Sequence, residues 1–229
     1  MDNIKETINK LIENYKNNHT GKTYNFTTIS ENDFRELFFS IYKYQNNVDF
    51  ILDGDNEIIL KSFYSAICGK TYKSFSIKNR AYTKENNDFC GFLLVGKTGT
   101  GKSSIFRAFI ELLRNIDFEI YLTDKPLKPK FAEINVSNYV EFYKKNINKT
   151  FTYIDDLGSE NLINDYGVKA NYYKDLIESI YLNKDNSFVF ISTNLSFDEI
   201  KTRYSERVFS RIVEMCAIYA LNKNDYRII

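Results

Sequence analysis

Histidine is almost missing from this chain: His19 is the only one in 229 residues, which excludes a zinc site of ordinary ligand spacing. Cysteine is scarce as well. Cys68, Cys90 and Cys216 are too few and too widely spaced to staple a small fold, and they suit a reducing cytosol. Both prolines, Pro126 and Pro129, fall in one insert, Tyr121 to Pro129, which reads as a loop. Long apolar runs are lacking: the longest near-continuous one, Phe89 to Val95, is far too short to span a bilayer. The opening MDNIKETINK has neither the basic flank nor the apolar stretch of a secretion signal. Charge of one sign is also not in excess. Thirty-one basic and 30 acidic side chains give +1, so there is no global pull toward nucleic acid, and any DNA contact must come from local patches or from an assembly. What remains is globular material, 43% hydrophobic and 27% charged, enough for a sizeable core. These absences predict a cytoplasmic chain without membrane contact, holding no metal except one that arrives with a ligand.

The hydrophobic pattern changes along the chain. Ile4, Ile8, Leu11, Ile12 and Tyr15 recur at helical spacing. Ser30 with Asp33 three residues on resembles a capping box, opening a helix with Phe34, Leu37, Phe38 and Ile41 on one face. A further helix is expected from Asp55 to Ile67, and the polar stretch Thr71 to Asp88 reads as a linker. The division is then a helical domain over residues 1–80, a linker over 81–88 and a second domain over 89–229. In the second domain strands alternate with helices: strands at Gly91–Val95, Lys130–Val136, Phe151–Ile154 and Ser187–Ser192, helices at Lys102–Asn115, Ser137–Asn146 and Tyr172–Leu182, and one long helix from Asp198 to Met215. That alternation predicts an α/β fold, a parallel sheet flanked by helices.

Gly96-Lys97-Thr98-Gly99-Thr100-Gly101-Lys102-Ser103 fits G-x-x-x-x-G-K-[ST] between a buried strand and a helix. In such a loop the glycines let successive N–H groups curl around phosphate oxygens, and the helix N-terminus, which includes Ser104, adds its partial positive charge. Lys102 is placed to reach the β- and γ-phosphates, and the Ser103 hydroxyl to ligate Mg²⁺. Thr152-Tyr153-Ile154-Asp155-Asp156 ends a second buried strand in two carboxylates. Asp155 is assigned to Mg²⁺ and Asp156 to the attacking water. A third strand ends at Ser192-Thr193-Asn194, where Asn194 can bond the γ-phosphate or the water while staying neutral.

The closing helix carries an apolar stripe, Ile200, Tyr204, Val208 and Ile212, and an arginine row, Arg203, Arg207 and Arg211. Glu199–Arg203 and Arg211–Glu214 have the spacing of ordinary helix ion pairs. Lysine is absent from the row, which also suits a guanidinium offered to a neighbour's γ-phosphate. A phosphate-loop kinase is disfavoured because no arginine lies between Asp156 and Phe188 to serve a lid.

Taken together, GKTGTGKS, YIDDLGSE, ISTNLSFDEI and RYSERVFSRI make residues 89–229 resemble the DnaC/DnaI/IstB family of AAA+ ATPases, the helicase loaders and transposition helpers. The resemblance implies an AAA+ P-loop NTPase domain, ATP and Mg²⁺ as ligands, Asn194 as sensor 1 and Arg211 as an arginine finger acting in trans. Arg227, in Asp225-Tyr226-Arg227, resembles the sensor 2 position, although the 35 residues after Asn194 are too few for a full helical lid. Asp156 stands where most AAA+ proteins have Glu, so weak, assembly-dependent hydrolysis is expected. The implied activity is ATP-dependent loading of a replicative DNA helicase, with residues 1–80 gripping the helicase. Single-stranded DNA would be bound in an ATP-dependent manner by a ring or helical filament. A transposition helper and a nucleotide-gated binding module with little turnover are the alternatives.

Overall fold

The structure, a computed structural model, describes residues 30–67, 89–115, 120–121, 126–127, 131–134, 151–160, 163–165, 168–170, 172–184 and 187–221. In chain order the elements are α1 (Glu31–Asn46), α2 (Gly54–Ile67), β1 (Gly91–Gly96), α3 (Lys102–Asn115), β2 (Ile120–Tyr121), β3 (Pro126–Leu127), β4 (Phe131–Ile134), β5 (Phe151–Leu157), β6 (Ile163–Asp165), β7 (Val168–Ala170), α4 (Tyr172–Leu182), β8 (Phe188–Thr193), α5 (Phe197–Tyr204), α6 (Glu206–Met215) and β9 (Cys216–Leu221). Five strands form one sheet in the order β4-β5-β8-β1-β9, and every neighbouring pair is parallel. Its central strands are apolar and buried along most of their length, as a sheet covered on both faces requires. Gly91 is fixed by close approach: a Cβ there would lie 2.4 Å from the Val189 carbonyl oxygen.

The strands and helices expected between Gly91 and Ser192 are found wherever the residues are described, with β4 at 131–134 inside the expected strand. The helices expected at 4–15 and 137–146 and the linker lie outside the described residues. Two differences concern the end of the chain. The single helix expected from Asp198 to Met215 is two, α5 and α6, broken at Ser205, whose φ of 99° no helix accommodates. Ser205 caps the second helix, accepting a hydrogen bond from the Val208 N–H. The break leaves Arg203 on one helix and Arg207 and Arg211 on the next. The other difference is β9, a strand not expected from the sequence, which follows α6 directly and pairs with β1 from Cys216 opposite Gly91 to Leu221 opposite Gly96. The Tyr121–Pro129 insert contributes to a short antiparallel pairing, Ile120 with Leu127 and Tyr121 with Pro126.

The helices of residues 31–67 do not stand apart from the sheet. Phe34, Leu37, Phe38 and Ile41 of α1 are buried as the pattern predicts, and Ile59, Leu60 and Phe63 of α2 join them. Phe63 stacks on Phe109 of α3 with ring centroids 3.9 Å apart and meets Phe92 of β1 edge-on at 4.9 Å. Phe34 also contacts Phe109, at 6.2 Å. The apolar stripe on each helix signals burial without naming the partner; here the partner is the core of the strand-containing region.

Phe63 is fully buried between two aromatic rings, so Phe63→Ala should lower stability by about 3–5 kcal/mol. The expected readout is an earlier urea midpoint with an unchanged slope. A loss below about 1 kcal/mol would mean that α2 packs only peripherally.

Candidate functional site

The loop after β1 turns through Gly99 and Gly101 at φ of 84° and 85°, a conformation open to glycine at little cost. Thr100 is buried, and its hydroxyl donates to the Lys97 carbonyl at 2.9 Å. Lys102 closes the loop from within. Its Nζ donates to the carbonyls of Gly96 (2.7 Å) and Lys97 (2.8 Å) and to Asn194 Oδ1 (2.8 Å). With 6% exposure, Lys102 is a buried cation.

Asp155, at the end of β5, collects donors from two other elements. Its Oδ1 accepts from Ser103 Oγ at 2.7 Å and from Ser192 Oγ at 2.8 Å, and its Oδ2 accepts from Arg107 Nη2 at 2.8 Å. Burial alone would raise its pKa. Hydrogen bonds, foremost that of Ser103, and the Arg107 charge reverse the sign and hold the carboxyl below its ordinary value. Asp156 is shifted the other way, by burial first and then by the charge of Asp155. Between Ile154 and Leu157 the pairing of β5 with β8 shifts register, and Asp156 sits on that irregularity at φ 55°. A bulge of this kind re-aims a side chain. The Asp156 N–H donates to Ser192 Oγ at 2.8 Å, and Asn194 Nδ2 donates to Asp156 Oδ1 at 2.5 Å. Asn194 thus bridges Lys102 and Asp156.

These groups surround one cavity of about 380 Å³. Of the residues singled out in the sequence, Thr98, Gly99, Gly101, Lys102, Ser103, Ser104, Asp155, Asp156 and Asn194 line it. Gly96, Lys97 and Thr100 act through the loop's internal bonds. Arg211 is not among the lining residues. It pairs with Glu178 of α4 at 2.7 Å and lies over the Tyr181 ring at 4.9 Å, with its side chain 14% exposed. Neither expected helix ion pair forms as spaced. Arg203 pairs with Glu160 at 3.0 Å, and Glu214 takes Lys184 and the Tyr181 hydroxyl. Glu160 is buried and committed, since it also accepts from the Gly158 N–H and the Tyr204 hydroxyl. Arg227 lies outside the described residues.

The sequence reading missed the opposite wall of the cavity. Tyr42 and Asn46, one turn apart near the end of α1, and Val48 line the cavity with the glycine-rich loop, and a second cavity of about 200 Å³ continues past Tyr42 to Phe50 and Ile51. Asn47 ends α1 in the left-handed conformation and turns the chain there. The available signal was an Asn-Asn pair after a helical stripe, which marks a turn but not what the turn faces. Ser192 and Arg107 were also missed. Arg107 was legible as the residue four after Ser103 on the same helix face.

The donor set suits Mg²⁺. Ser103 Oγ donates its proton to Asp155 and keeps lone pairs for a cation, and both are hard oxygen groups at the cavity wall. Among the described residues no cluster of three acidic, cysteine or histidine side chains could hold a metal alone, so a cation there would share its shell with a ligand. No helix among the described residues is long and apolar enough to cross a membrane.

No family model matches the sequence, and no curated protein matches it. Solved structures do match in fold. Domain III of the Thermotoga maritima replication initiation protein DnaA is 14% identical, with 80% of this chain and 68% of that one covered and a TM-score of 0.51. A DNA replication initiation factor is 12% identical, covering 80% of this chain and 50% of that one, with a TM-score of 0.50. The DnaC helicase loader is 18% identical, covering 77% and 95%, with a TM-score of 0.49. The chain therefore spans only half the length of the replication initiation factor. At these identities the likeness is one of architecture: this chain shares the α/β fold of DnaA domain III, with a parallel sheet flanked by helices.

Proposed function

We propose that this protein binds ATP with Mg²⁺, hydrolyses it slowly, and uses the nucleotide to deliver a replicative DNA helicase to DNA. The observation that carries the nucleotide part is convergence. Lys102 and Ser103 from α3, Asp155 and Asp156 from β5, and Asn194 after β8 line one cavity whose floor is a glycine-rich loop. On this reading the loop N–H groups and Lys102 take the phosphates. Lys102 exchanges the Gly96 and Lys97 carbonyls for phosphate oxygens, while Tyr42, Asn46 and Val48 border the nucleoside end. Mg²⁺, held at Ser103 and through Asp155, would neutralise charge developing between the β- and γ-phosphates. Asp156, steadied by Asn194, orients the attacking water.

The loader role rests on the resemblance of YIDDLGSE, ISTNLSFDEI and RYSERVFSRI to the helicase-loader family, and the fold shared with DnaA domain III accords with it. Contact with the helicase is assigned to residues 1–80, and ATP-dependent single-stranded DNA binding to a ring or filament. Because α1 and α2 share the core of the sheet, the test needs the whole chain. With ATP present, it should increase helicase-dependent unwinding of DNA coated with single-strand-binding protein. Unwinding that is indifferent to this protein would remove the loader role. A nucleotide-gated module with little turnover is the second reading. It is favoured by the short side chain of Asp156, which is tied to Asn194.

Lys102→Ala should abolish measurable nucleotide binding, because it removes both the phosphate contact and the bonds that close the loop. Asp156→Asn should keep ATP bound and lower turnover by about 10²–10³, the size of one lost transition-state contact. Fluorescent-nucleotide titration and phosphate release check the pair. Unchanged affinity in the first variant would defeat the assignment.

For Arg211 to act on a neighbour's ATP it must leave Glu178. Arg211→Ala is expected to bind ATP without hydrolysing it, and an equimolar mixture with Lys102→Ala should recover turnover through mixed interfaces. Normal turnover with a stability loss of about 0.5–1.5 kcal/mol would instead make Arg211 a structural partner of Glu178. The more exposed Arg207, 3.6 Å from the same glutamate, would then be tested in its place.

A further inference from the structure

Asp155 is nearly buried, and its outer oxygen is already engaged. Ser103 and Ser192 share Oδ1, and Oδ2 holds Arg107 Nη2 at 2.8 Å. The two partners differ in kind. The Ser103–Asp155 hydrogen bond is compatible with a bound cation, because the hydroxyl gives its proton to the carboxylate and keeps its lone pairs. The Arg107 contact is not compatible in the same way. A guanidinium has donors only, so it occupies Oδ2 without offering a site for a metal or its water. It also places a positive charge where a dication would settle. The Arg107 side chain is 55% exposed while that of Asp155 is 10% exposed. The guanidinium can therefore withdraw into solvent at small cost, whereas the carboxylate cannot.

We infer that Arg107 is a resident counter-cation for Asp155 that Mg²⁺ must displace, which makes tight nucleotide binding dependent on a higher Mg²⁺ concentration than the loop alone would need. This rests on the nucleotide-binding reading above. Without a cation, a buried carboxylate at this strand end carries an uncompensated charge, which is costly. Arg107 supplies compensation in the nucleotide-free protein and gives way when Mg²⁺ arrives with phosphate. The position follows from sequence: Arg107 is four residues beyond Ser103, so both side chains leave the same face of α3 toward Asp155.

The test titrates Mg²⁺ against binding of a fluorescent ATP analogue to the full chain, comparing wild type, Arg107→Ala and Arg107→Lys. A competitor predicts that Arg107→Ala lowers the Mg²⁺ concentration for half-maximal tight binding by about three- to fivefold, the range of a partly exposed ion pair. Arg107→Lys should fall between. Melting temperature without nucleotide, measured in EDTA, should drop in Arg107→Ala, and saturating Mg²⁺ and nucleotide should narrow the gap. An unchanged Mg²⁺ midpoint would overturn the inference and leave Arg107 a surface ion pair. Weaker nucleotide binding at every Mg²⁺ concentration would overturn it differently, by making Arg107 a phosphate contact. If wild type itself fails to bind the analogue, the nucleotide reading fails and the inference falls with it.

Discussion

A single buried carboxylate sets the geometry of this site. Asp155 sits at the end of β5 and is held by Ser103 and Arg107 from α3 and by Ser192 from β8. A charge removed from water must find compensation within hydrogen-bond reach, so these elements have little freedom to slide. Their register fixes the rest. Ser192 accepts from the Asp156 N–H while donating to Asp155, which turns the chain at the bulge and directs Asp156 toward Asn194. Thr193, the last residue of β8, donates to the Leu157 carbonyl and closes the same junction. The cavity is thus a consequence of satisfying one acid.

Aromatic packing performs the corresponding task below the sheet. Phe92, Phe188 and Phe190 contact one another across β1 and β8, and Phe106 and Phe109 of α3 lie against Phe190. Phe63 carries the contact on to α2, and Phe34 to α1. Tyr42, near the far end of α1, lines the same cavity as the glycine-rich loop. Helices α1 and α2 therefore belong to the site twice, by packing on the helix that carries Lys102 and Ser103 and by supplying a wall.

Much of this was legible in the sequence because the signals were local. The phosphate loop needs glycines at fixed offsets. The acid pair ends an apolar run, and Asn194 ends another, so each was found from its own neighbourhood. What stayed hidden depended on partners distant in sequence. Arg203, Arg207 and Arg211 lie at even spacing, and only Ser205, an unremarkable residue within the stripe, breaks the helix between the first and second. Their acids, Glu160 and Glu178, lie far away in the chain, beyond any helix rule. β9 begins at the residue after α6 with no turn residue between them. Its run Cys-Ala-Ile-Tyr-Ala-Leu carried no breaker to separate it from the helix. The pairing of β9 with β1 is tertiary information.

The position of Asp156 links the geometry to the slow turnover proposed. At φ 55° most side chains are strained, while Asp and Asn tolerate the conformation best after glycine. A longer acid would reach further into the cavity, but it would have to adopt a backbone that suits it less. The bulge and the short acid are therefore one feature, and part of its reach is spent on Asn194. Asn194 in turn accepts from Lys102, whose remaining donors close the loop. On the proposed reading, phosphate entering the loop competes for Lys102 and loosens the hold on Asn194, and Asn194 then settles against either Asp156 or the nucleotide. Loop opening and the readiness of Asp156 are in that case one equilibrium, and a ligand shifts it only by the difference in its affinity for the two arrangements. On that proposed reading, the site would respond to the presence of nucleotide more readily than it consumes it, as the proposed delivery role requires.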